Sequence, residues 1–308
     1  MRFSHKSFLI CFFHLALILL YLCNPGWADN KIRILENRLN QELKATSDSL
    51  DGVLGLAIKN LTSGRVFSIN ENEIFPQASS IKIAILLEVL KRAEENQLKL
   101  DEFLDLKPEA RVGGGPILSF LGYPYLKISV LDLSVLMVVL SDNTATNLLI
   151  DRVGMESINQ RLASLGLQKT RLRRRMMDLK AAREGRENIS TPKEMLTLLE
   201  KVWQGKVLNP SFRQEFFRIL SLPKESPLQK AVPDGIMVAD KPGELEAVRC
   251  DSGIVFLEKN PYIICVMTTY LSPQIDGNEV IRKIGRLVYH HFERLERSSE
   301  YGRIISEK

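Results

Sequence analysis

The sequence predicts an α/β protein of the α+β type, with one five-stranded antiparallel sheet, flanking N- and C-terminal helices and an inserted all-helical lobe. Three observations predict it. Two strand-like runs lie near the start of the chain, at 52–59 and 64–70. Three more lie near its end, at 235–241, 247–257 and 261–270, and the patterns between the two groups are helical. One sheet built from both ends of the chain explains this order.

Each element follows from periodicity and turn residues. A polar helix with regularly spaced apolar residues is predicted at 30–46, and the two first strands are joined by a turn cluster at 60–64. Residues 79–95 form a helix that is apolar around most of its circumference, which is typical of a helix in the centre of a protein. The remaining predicted helices span 129–140, 143–152, 155–165, 191–204, 209–220 and 276–296.

Composition excludes several classes of protein. The chain has 308 residues, with 45% hydrophobic and 26% charged residues, which are ordinary values for a globular protein and exclude disordered, collagen-like and coiled-coil chains. The net charge of +5 is too small to indicate nucleic acid as the main partner. Four cysteines in a chain of this length do not form a disulfide scaffold.

The N-terminal segment, residues 1–28, has the features of a secretory signal peptide. Arg2 and Lys6 precede an apolar run from Phe8 to Leu22, and small residues surround a cleavage point after Ala28. The alternative is a retained transmembrane anchor, but the run is shorter than the ~20 residues that a membrane span needs. We therefore expect a domain at 29–308, exported to the periplasm or the extracellular space, without stable membrane insertion after cleavage. Its sheet subdomain comprises about 29–75 and 225–308, and its helical subdomain about 76–224.

Cleavage leaves two cysteines and two histidines. Cys250 and Cys265 lie on neighbouring predicted strands, and a tight hairpin pairs Cys265 with a residue near 253, so we expect two free, half-buried thiols. His290 and His291 are adjacent on a helix and point in different directions, as surface or half-buried residues. A Ser-His-Asp site or a His-rich metal site is therefore not expected, and a serine nucleophile would need Lys as its base.

A Ser-x-x-Lys pattern places a hydroxyl and an amine one helical turn apart on the same face. The mature chain contains three such pairs, but only Ser79 and Lys82 begin the apolar central helix. Burial would lower the pKa of Lys82 and make its neutral amine accessible, and the N–H groups at the start of a helix stabilise a developing oxyanion. The alternative is a lysine that reaches solvent beside a capping serine.

Two further motifs are unremarkable alone. Ser141-Asp142-Asn143 can be a plain corner between two helices, and Lys241-Pro242-Gly243 can simply end a strand. Together the motifs form an ordered series, because Ser141 follows Ser79 by 62 residues and Lys241 follows Ser141 by 100. This order is the signature of active-site serine penicillin-recognising enzymes.

The mature chain resembles class A β-lactamases, with a β-lactamase/transpeptidase-like fold. The matching stretches are Phe75-Pro-Gln-Ala-Ser-Ser-Ile-Lys82, Leu140-Ser-Asp-Asn-Thr-Ala-Thr-Asn-Leu-Leu149, Ser190-Thr-Pro192 and Asp240-Lys-Pro-Gly243.

The resemblance implies a role for each site residue. Ser79 would be the acylated nucleophile, Lys82 its activating partner, and Ser141 the relay of a proton to the leaving nitrogen. Asn143 would bind the side-chain amide of the substrate, and Lys241 its carboxylate. The N–H groups of Ser79 and Glu244, next to Gly243, would form the oxyanion hole. Arg249 is a candidate second carboxylate binder. No cofactor and no metal are implied.

Two positions depart from the family. The Glu that activates the deacylating water in class A enzymes aligns with Met176, which cannot act as a base. Asp178, Glu184 or Glu187 would have to replace it. Pro242 stands where the family has Thr or Ser, so a carboxylate-binding hydroxyl and a backbone N–H are lost.

These features predict an exported serine hydrolase that opens β-lactam rings through an acyl-enzyme on Ser79, with slow release because of Met176. A D-Ala peptidase of peptidoglycan or another amide or ester hydrolase is the first alternative, and a non-hydrolytic protein that binds penicillin or cell-wall fragments is the second. The expected partner is a small β-lactam or a D-Ala-type peptide, with peptidoglycan as a further candidate contact and no nucleic acid.

Overall fold

The computed structural model describes residues 26–114, 117–122, 124–299 and 301–304. Residues 1–25, which make up most of the predicted signal peptide, lie outside this range, and Gly26 already belongs to the first described helix. Among the described helices, none is long and apolar enough to cross a membrane.

The predicted helices and strands are present in the predicted order, and several short elements lie between them. In chain order they are α1 (Gly26–Asp48), β1 (Val53–Asn60), β2 (Val66–Ile69), β3 (Phe75–Pro76), α2 (Lys82–Glu94), β4 (Phe103–Leu106), β5 (Leu126–Ser129), α3 (Val130–Val139), α4 (Asn143–Val153), α5 (Met155–Ser164), α6 (Leu179–Arg183), β6 (Ile189–Ser190), α7 (Pro192–Trp203), α8 (Pro210–Ser221), β7 (Val238–Leu245), β8 (Val248–Val255), β9 (Tyr262–Thr269) and α9 (Gly277–Arg297). The 3₁₀ turns Ala78–Ile81, Pro108–Ala110 and Gln229–Ala231 complete the list.

The five-stranded sheet has the order β2-β1-β9-β8-β7, and every pairing in it is antiparallel. The predicted five-stranded antiparallel sheet built from both ends of the chain is confirmed. Two short pairs, β3 with β6 and β4 with β5, were not predicted, because strands of two to four residues are too short to show a period.

Apolar clusters cover both faces of the sheet. One cluster joins the sheet to the helical region, with α2 at its centre, and the other packs α1 and α9 against the opposite face. This explains why α2 is apolar on nearly all sides, since ten of its residues are buried. The central position of this helix, predicted from its composition, is confirmed.

Three local predictions need correction. The predicted helix 79–95 is a 3₁₀ turn, Ala78–Ile81, followed by an α-helix from Lys82. The strand predicted to end at Lys241 continues to Leu245, because Pro242 is tolerated on β7, the outer strand of the sheet. Cys250 and Cys265 are free, as predicted, but both are fully buried rather than half-buried, and burial raises the pKa of the Cys250 thiol to about 12.

Candidate active site

The nucleophile candidate, Ser79, lies in the 3₁₀ turn that leads into α2. The chain before it is fixed by the short β3–β6 pair, and the N–H of Gln77 donates to the carbonyl of Asn188 at 2.8 Å. Ala78 adopts a left-handed φ of +46°, a conformation that is uncommon outside glycine. The turn thereby presents the half-buried Ser79 at the surface of a cleft of about 560 Å³.

Lys82 is fully buried and occupies the first position of α2. Its Nζ donates to the carbonyl oxygen of Ser141 at 2.8 Å, to Ser141 Oγ at 3.0 Å and to Asn143 Oδ1 at 3.1 Å. Burial, reinforced by the positive charge of Lys241, holds the pKa of Lys82 well below its usual value, and Asp142 opposes this only in part. The alternative of a lysine that reaches solvent is therefore wrong.

Ser141, Asp142 and Asn143 form the corner between α3 and α4. Ser141 has a φ of +54°, and Asp142 caps α4 by accepting a hydrogen bond from the N–H of Ala145 at 2.9 Å. The second carboxylate oxygen of Asp142 accepts from the N–H of Leu118 at 3.0 Å, which ties the neighbouring loop to the corner. The cap explains why an acidic residue separates the two residues that face Lys82.

Lys241 lies in the middle of β7, and its side chain is 2% exposed. Its Nζ donates to the carbonyl of Pro242 at 2.9 Å. Burial lowers the pKa of Lys241 to about 8, although Asp251 and Asp240 favour its charged form.

Gly243 allows β7 to approach the Ser79 turn. A Cβ at this position would lie 2.7 Å from the carbonyl oxygen of Gln77, 2.8 Å from the nitrogen of Ser80 and 2.9 Å from that of Ser79. All three atoms belong to the backbone, so they cannot rotate away. The Lys-x-Gly pattern thus has a steric reason in this chain.

Two predicted site residues, Lys82 and Arg249, do not line the cleft. The buried Lys82 contacts the cleft-lining Ser141 and Asn143, whereas Arg249 has partners elsewhere. Its guanidinium donates to the carbonyls of Leu245 and Val248, at 2.7 and 2.8 Å, and pairs with the exposed carboxylate of Glu244 at 2.6 Å. Lys230 and Arg282 line the cleft instead. Sequence reasoning missed both, because they come from a 3₁₀ turn and from the face of α9, and neither belongs to a motif.

Met176 also lines the cleft, in the loop between α5 and α6. Its backbone is fixed by Asn147 of α4, whose Oδ1 accepts from the N–H of Met176 at 2.9 Å and whose Nδ2 donates to its carbonyl at 3.1 Å. Asn147 is itself buried, so the loop has little freedom at this point.

The three carboxylates that could replace the missing Glu have other partners. Asp178 caps α6 at the N–H of Ala181, Glu184 pairs with Arg186 at the surface, and Glu187 pairs with Arg174 at 2.9 Å. None of the three lines the cleft. The cleft-lining residues include five apolar side chains, those of Val139, Leu140, Met176, Met177 and Leu179. Arg174, the partner of Glu187, and Asn188 also line the cleft, but neither is a carboxylate.

Groups of three or more His, Cys, Asp or Glu side chains suited to a metal ion are absent from the part of the chain that the structure describes. His290 is exposed on α9, whereas His291 is buried against Phe67, with ring centroids 5.6 Å apart.

Comparison with known proteins agrees with this geometry. Residues 36–292 match the beta-lactamase enzyme family. An imipenem-hydrolyzing beta-lactamase of Enterobacter cloacae is 28% identical over 236 residues, which cover 74% of this chain and 80% of that protein.

Two solved structures share the fold at similar identity. One is a leucine-to-glutamate mutant of PBP-A in an acyl-enzyme complex with penicillin G, with a TM-score of 0.75 and 30% identity over 83% of this chain and 97% of that one. The other, a beta-lactamase from Sphaerobacter thermophilus, has a TM-score of 0.76 and 26% identity over 82% and 97%. The chain therefore belongs to the beta-lactamase enzyme family and is a serine hydrolase of the class A β-lactamase type.

Proposed function

We propose that this protein reacts with β-lactams to form an acyl-enzyme on Ser79 and releases the acyl group slowly. The observation that carries the proposal is the contrast within one cleft. The cleft is lined by four residues to which acylation is assigned, Ser79, Ser141, Asn143 and Lys241, and the buried Lys82 contacts two of them. Met176 and other apolar side chains line the part of the cleft where a deacylating carboxylate would be needed.

The acylation step follows from the charges and hydrogen bonds of the site. Neutral Lys82 takes the proton of Ser79, whose Oγ forms a bond to the β-lactam carbonyl carbon. The N–H groups of Ser79 and Glu244 stabilise the oxyanion. The C–N bond then breaks as Ser141 donates its proton to the leaving nitrogen. Ser141 regains a proton from protonated Lys82, whose Nζ donates to Ser141 Oγ at 3.0 Å, so that Lys82 is neutral again. The low pKa of Lys82 supports its part, since only the neutral amine can accept the proton.

Substrate orientation depends on two other residues. The ammonium of Lys241 attracts the carboxylate of the substrate, and Asn143 donates to the carbonyl of its side-chain amide. Asn143 Nδ2 donates at present to the carbonyl of Gly114 at 2.9 Å, so a substrate amide has to replace that contact. Pro242 supplies no hydroxyl to the carboxylate, which leaves this anion to Lys241 and to the cleft-lining Lys230 and Arg282.

Deacylation requires a base that activates a water molecule. Met176 cannot do this, and the paired positions of Asp178, Glu184 and Glu187 support a long-lived acyl-enzyme. The same observation favours a second candidate function, a D-Ala peptidase of peptidoglycan. Acylation of Ser79 would release D-Ala, and water that enters without a Met176-side base would hydrolyse the acyl-enzyme. In both cases we propose export, with action in the periplasm or outside the cell.

The test is a time course of intact-protein mass after mixing with penicillin G. We expect an adduct of the mass of penicillin that forms quickly and persists over many minutes. Ser79→Ala should form none. Ser80→Ala is the matched control, because its buried Oγ has no hydrogen-bond partner within the described residues, and it should react like the wild type.

The other outcomes have distinct meanings. A transient adduct with accumulating penicilloate would contradict slow release and indicate an efficient β-lactamase. Release of D-Ala from an acyl-D-Ala-D-Ala peptide would favour the second candidate function. An adduct on Ser79→Ala would refute the assignment of the nucleophile.

A further inference from the structure

A buried polar cluster lies next to Lys241, and its two aspartates are on the opposite face of strands β7 and β8. It consists of Lys224, Ser226, Asp240 and Asp251. Their side chains are at most 1% exposed, and the cluster has no part in the proposed acylation chemistry. Asp240 precedes Lys241 in β7, and Asp251 is the cross-strand partner of Pro242. Because side chains alternate along a strand, the two aspartates share one face and Lys241 points from the other.

Lys224 is the cation of this cluster. Its Nζ pairs with Asp240 Oδ1 at 3.0 Å and donates to the carbonyls of Leu220 and Leu222 at 2.6 and 2.9 Å. Gln229 Nε2 also donates to Asp240 Oδ1 at 3.0 Å. These hydrogen bonds compensate for the loss of water around the ion pair. Removal of one partner would leave an uncompensated buried charge.

The cluster also fixes one proton between its two carboxyl groups. Ser226 Oγ accepts from the N–H of Gln229 and contacts Oδ2 of both Asp240 and Asp251. A hydroxyl has one proton and cannot donate to both carboxylates. The contact is satisfied when Asp251 is protonated and Asp240 is ionised. Burial next to Asp240 raises the pKa of Asp251 well above its usual value, which agrees with this assignment.

We propose that Lys224 is a positioning residue of the active site, which balances the charge of the Asp240–Asp251 pair and thereby controls whether Lys241 is protonated when substrate arrives. With Lys224 in place, the pair and its cation are together neutral. The positive charge of Lys224 then offsets part of the stabilisation that Asp240 and Asp251 give to charged Lys241. This inference builds on the role of Lys241 in the proposed function.

Other charged side chains near Lys241 also influence its protonation. Lys82 lies at the start of α2, with Asp142 behind it at the start of α4. Lys230 and Arg282 line the cleft, but both have acidic partners of their own, in Glu225 for Lys230 and in Glu279 for Arg282. Lys224 differs from them because its partner is one of the two carboxyl groups directly behind Lys241.

The test measures the titration of Lys241 in the folded full-length protein, by NMR of ¹³C-labelled lysine, with the signal assigned by Lys241→Arg. The wild-type midpoint is expected near 8. Lys224→Met leaves Asp240 without its cation and should raise the midpoint by roughly one pH unit, the effect of one charge at an effective dielectric constant of about 20. Asp240→Asn leaves the cation and should lower it by a similar amount.

Two variants guard against an effect of misfolding. The double variant Lys224→Met/Asp240→Asn restores neutrality and should return the midpoint to that of the wild type. Lys193→Met removes an exposed lysine that pairs with Glu71 and should leave it unchanged. The rate of acylation by penicillin G should follow the same shifts on its alkaline side, since the substrate carboxylate needs charged Lys241.

The two readouts separate this inference from the proposed function. If penicillin G forms no adduct with the wild type, the proposed function fails, and the NMR titration still decides the role of Lys224. Shifts of opposite sign in the single variants, cancelled in the double variant, support the role. Midpoints within 0.2 unit of the wild type, or shifts in the same direction, overturn it.

Discussion

Gly243→Ala is the substitution for which the structure gives the sharpest expectation. The added Cβ would lie 2.7–2.9 Å from three backbone atoms of the Ser79 turn, whereas ordinary contacts begin at 3.4 Å. Strand β7 therefore has to withdraw from the turn by about 0.5–0.7 Å. This moves Lys241 and the N–H of Glu244 away from Ser79 together, while every reactive group remains present.

The expected loss is kinetic as well as thermodynamic. Overpacking of this kind costs about 1–3 kcal/mol of stability. A shift of about 1 Å in a reacting group can cost on the order of 100-fold in rate, so we expect acylation of Gly243→Ala to fall by at least about 10-fold. The assay is the second-order rate of adduct formation with penicillin G, measured by intact mass, together with the melting temperature.

The matched control is Gly113→Ala, in which an exposed glycine gains a Cβ that meets none of the described residues within 4 Å. It should acylate at the wild-type rate. If Gly243→Ala acylates within twofold of the wild type and melts at the same temperature, the close approach of β7 to the turn does not limit the reaction, and the reasoning is refuted.

Three further predictions concern release, acid stability and the cleft loop. Met176→Glu places a carboxylate at the cleft wall and should shorten the life of the penicillin adduct by at least about 10-fold, as seen by mass; an unchanged lifetime would mean that the loop is not where water is activated. Burial lowers the pKa of His291 to about 4, so the unfolded state binds the extra proton between about pH 6.5 and 4. As the pH falls through that window, the free energy of unfolding should decrease by up to about 1.4 kcal/mol per pH unit, whereas above it the contribution of neutral His291 to stability is complete. His291→Phe should lose this pH dependence, and the exposed His290→Gln should keep it. Asn147→Leu leaves the buried N–H and carbonyl of Met176 without hydrogen-bond partners in the side chain of residue 147 and should destabilise the protein by about 2–5 kcal/mol in denaturant titrations. A change below about 0.5 kcal/mol would contradict the tight fixation of the loop.

The sequence predicts which residues form the site better than it predicts the charge interactions among them. Ser79 and Lys82 were candidates from a local pattern, whereas the roles of Ser141, Asn143 and Lys241 were implied by the resemblance to class A β-lactamases. The structure shows that these motifs also have local structural functions, as a turn, a helix start or a cap. The strand order followed from hydrophobic runs of sufficient length. Neither the fold nor these residues required knowledge of long-range packing.

What the sequence did not reveal depends on contacts between distant segments. Lys224 belongs to another of the three Ser-x-x-Lys pairs, Ser221–Lys224, in which Pro223 indicates a loop. Its burial against Asp240 depends on the packing of the segment after α8 on β7. Arg249 was predicted in the cleft from its strand, but the tight turn before β8 offers its guanidinium nearer acceptors. The spacing of residues in the sequence does not predict hydrogen bonds between a side chain and the carbonyls of a nearby turn.

In the mechanism that we propose, acylation and deacylation place different demands on the same cleft, and the residues of this chain suit acylation better. Acylation needs Lys82 as a neutral amine and Lys241 as a positive charge for the substrate carboxylate. Burial lowers the pKa of both lysines. Deacylation needs a base on the loop side of the cleft, where Met176 is held by Asn147. Faster acylation cannot compensate, because turnover is limited by the slower step. The lifetime of the Ser79 adduct is therefore the quantity that separates a β-lactamase from a penicillin-binding protein on this scaffold.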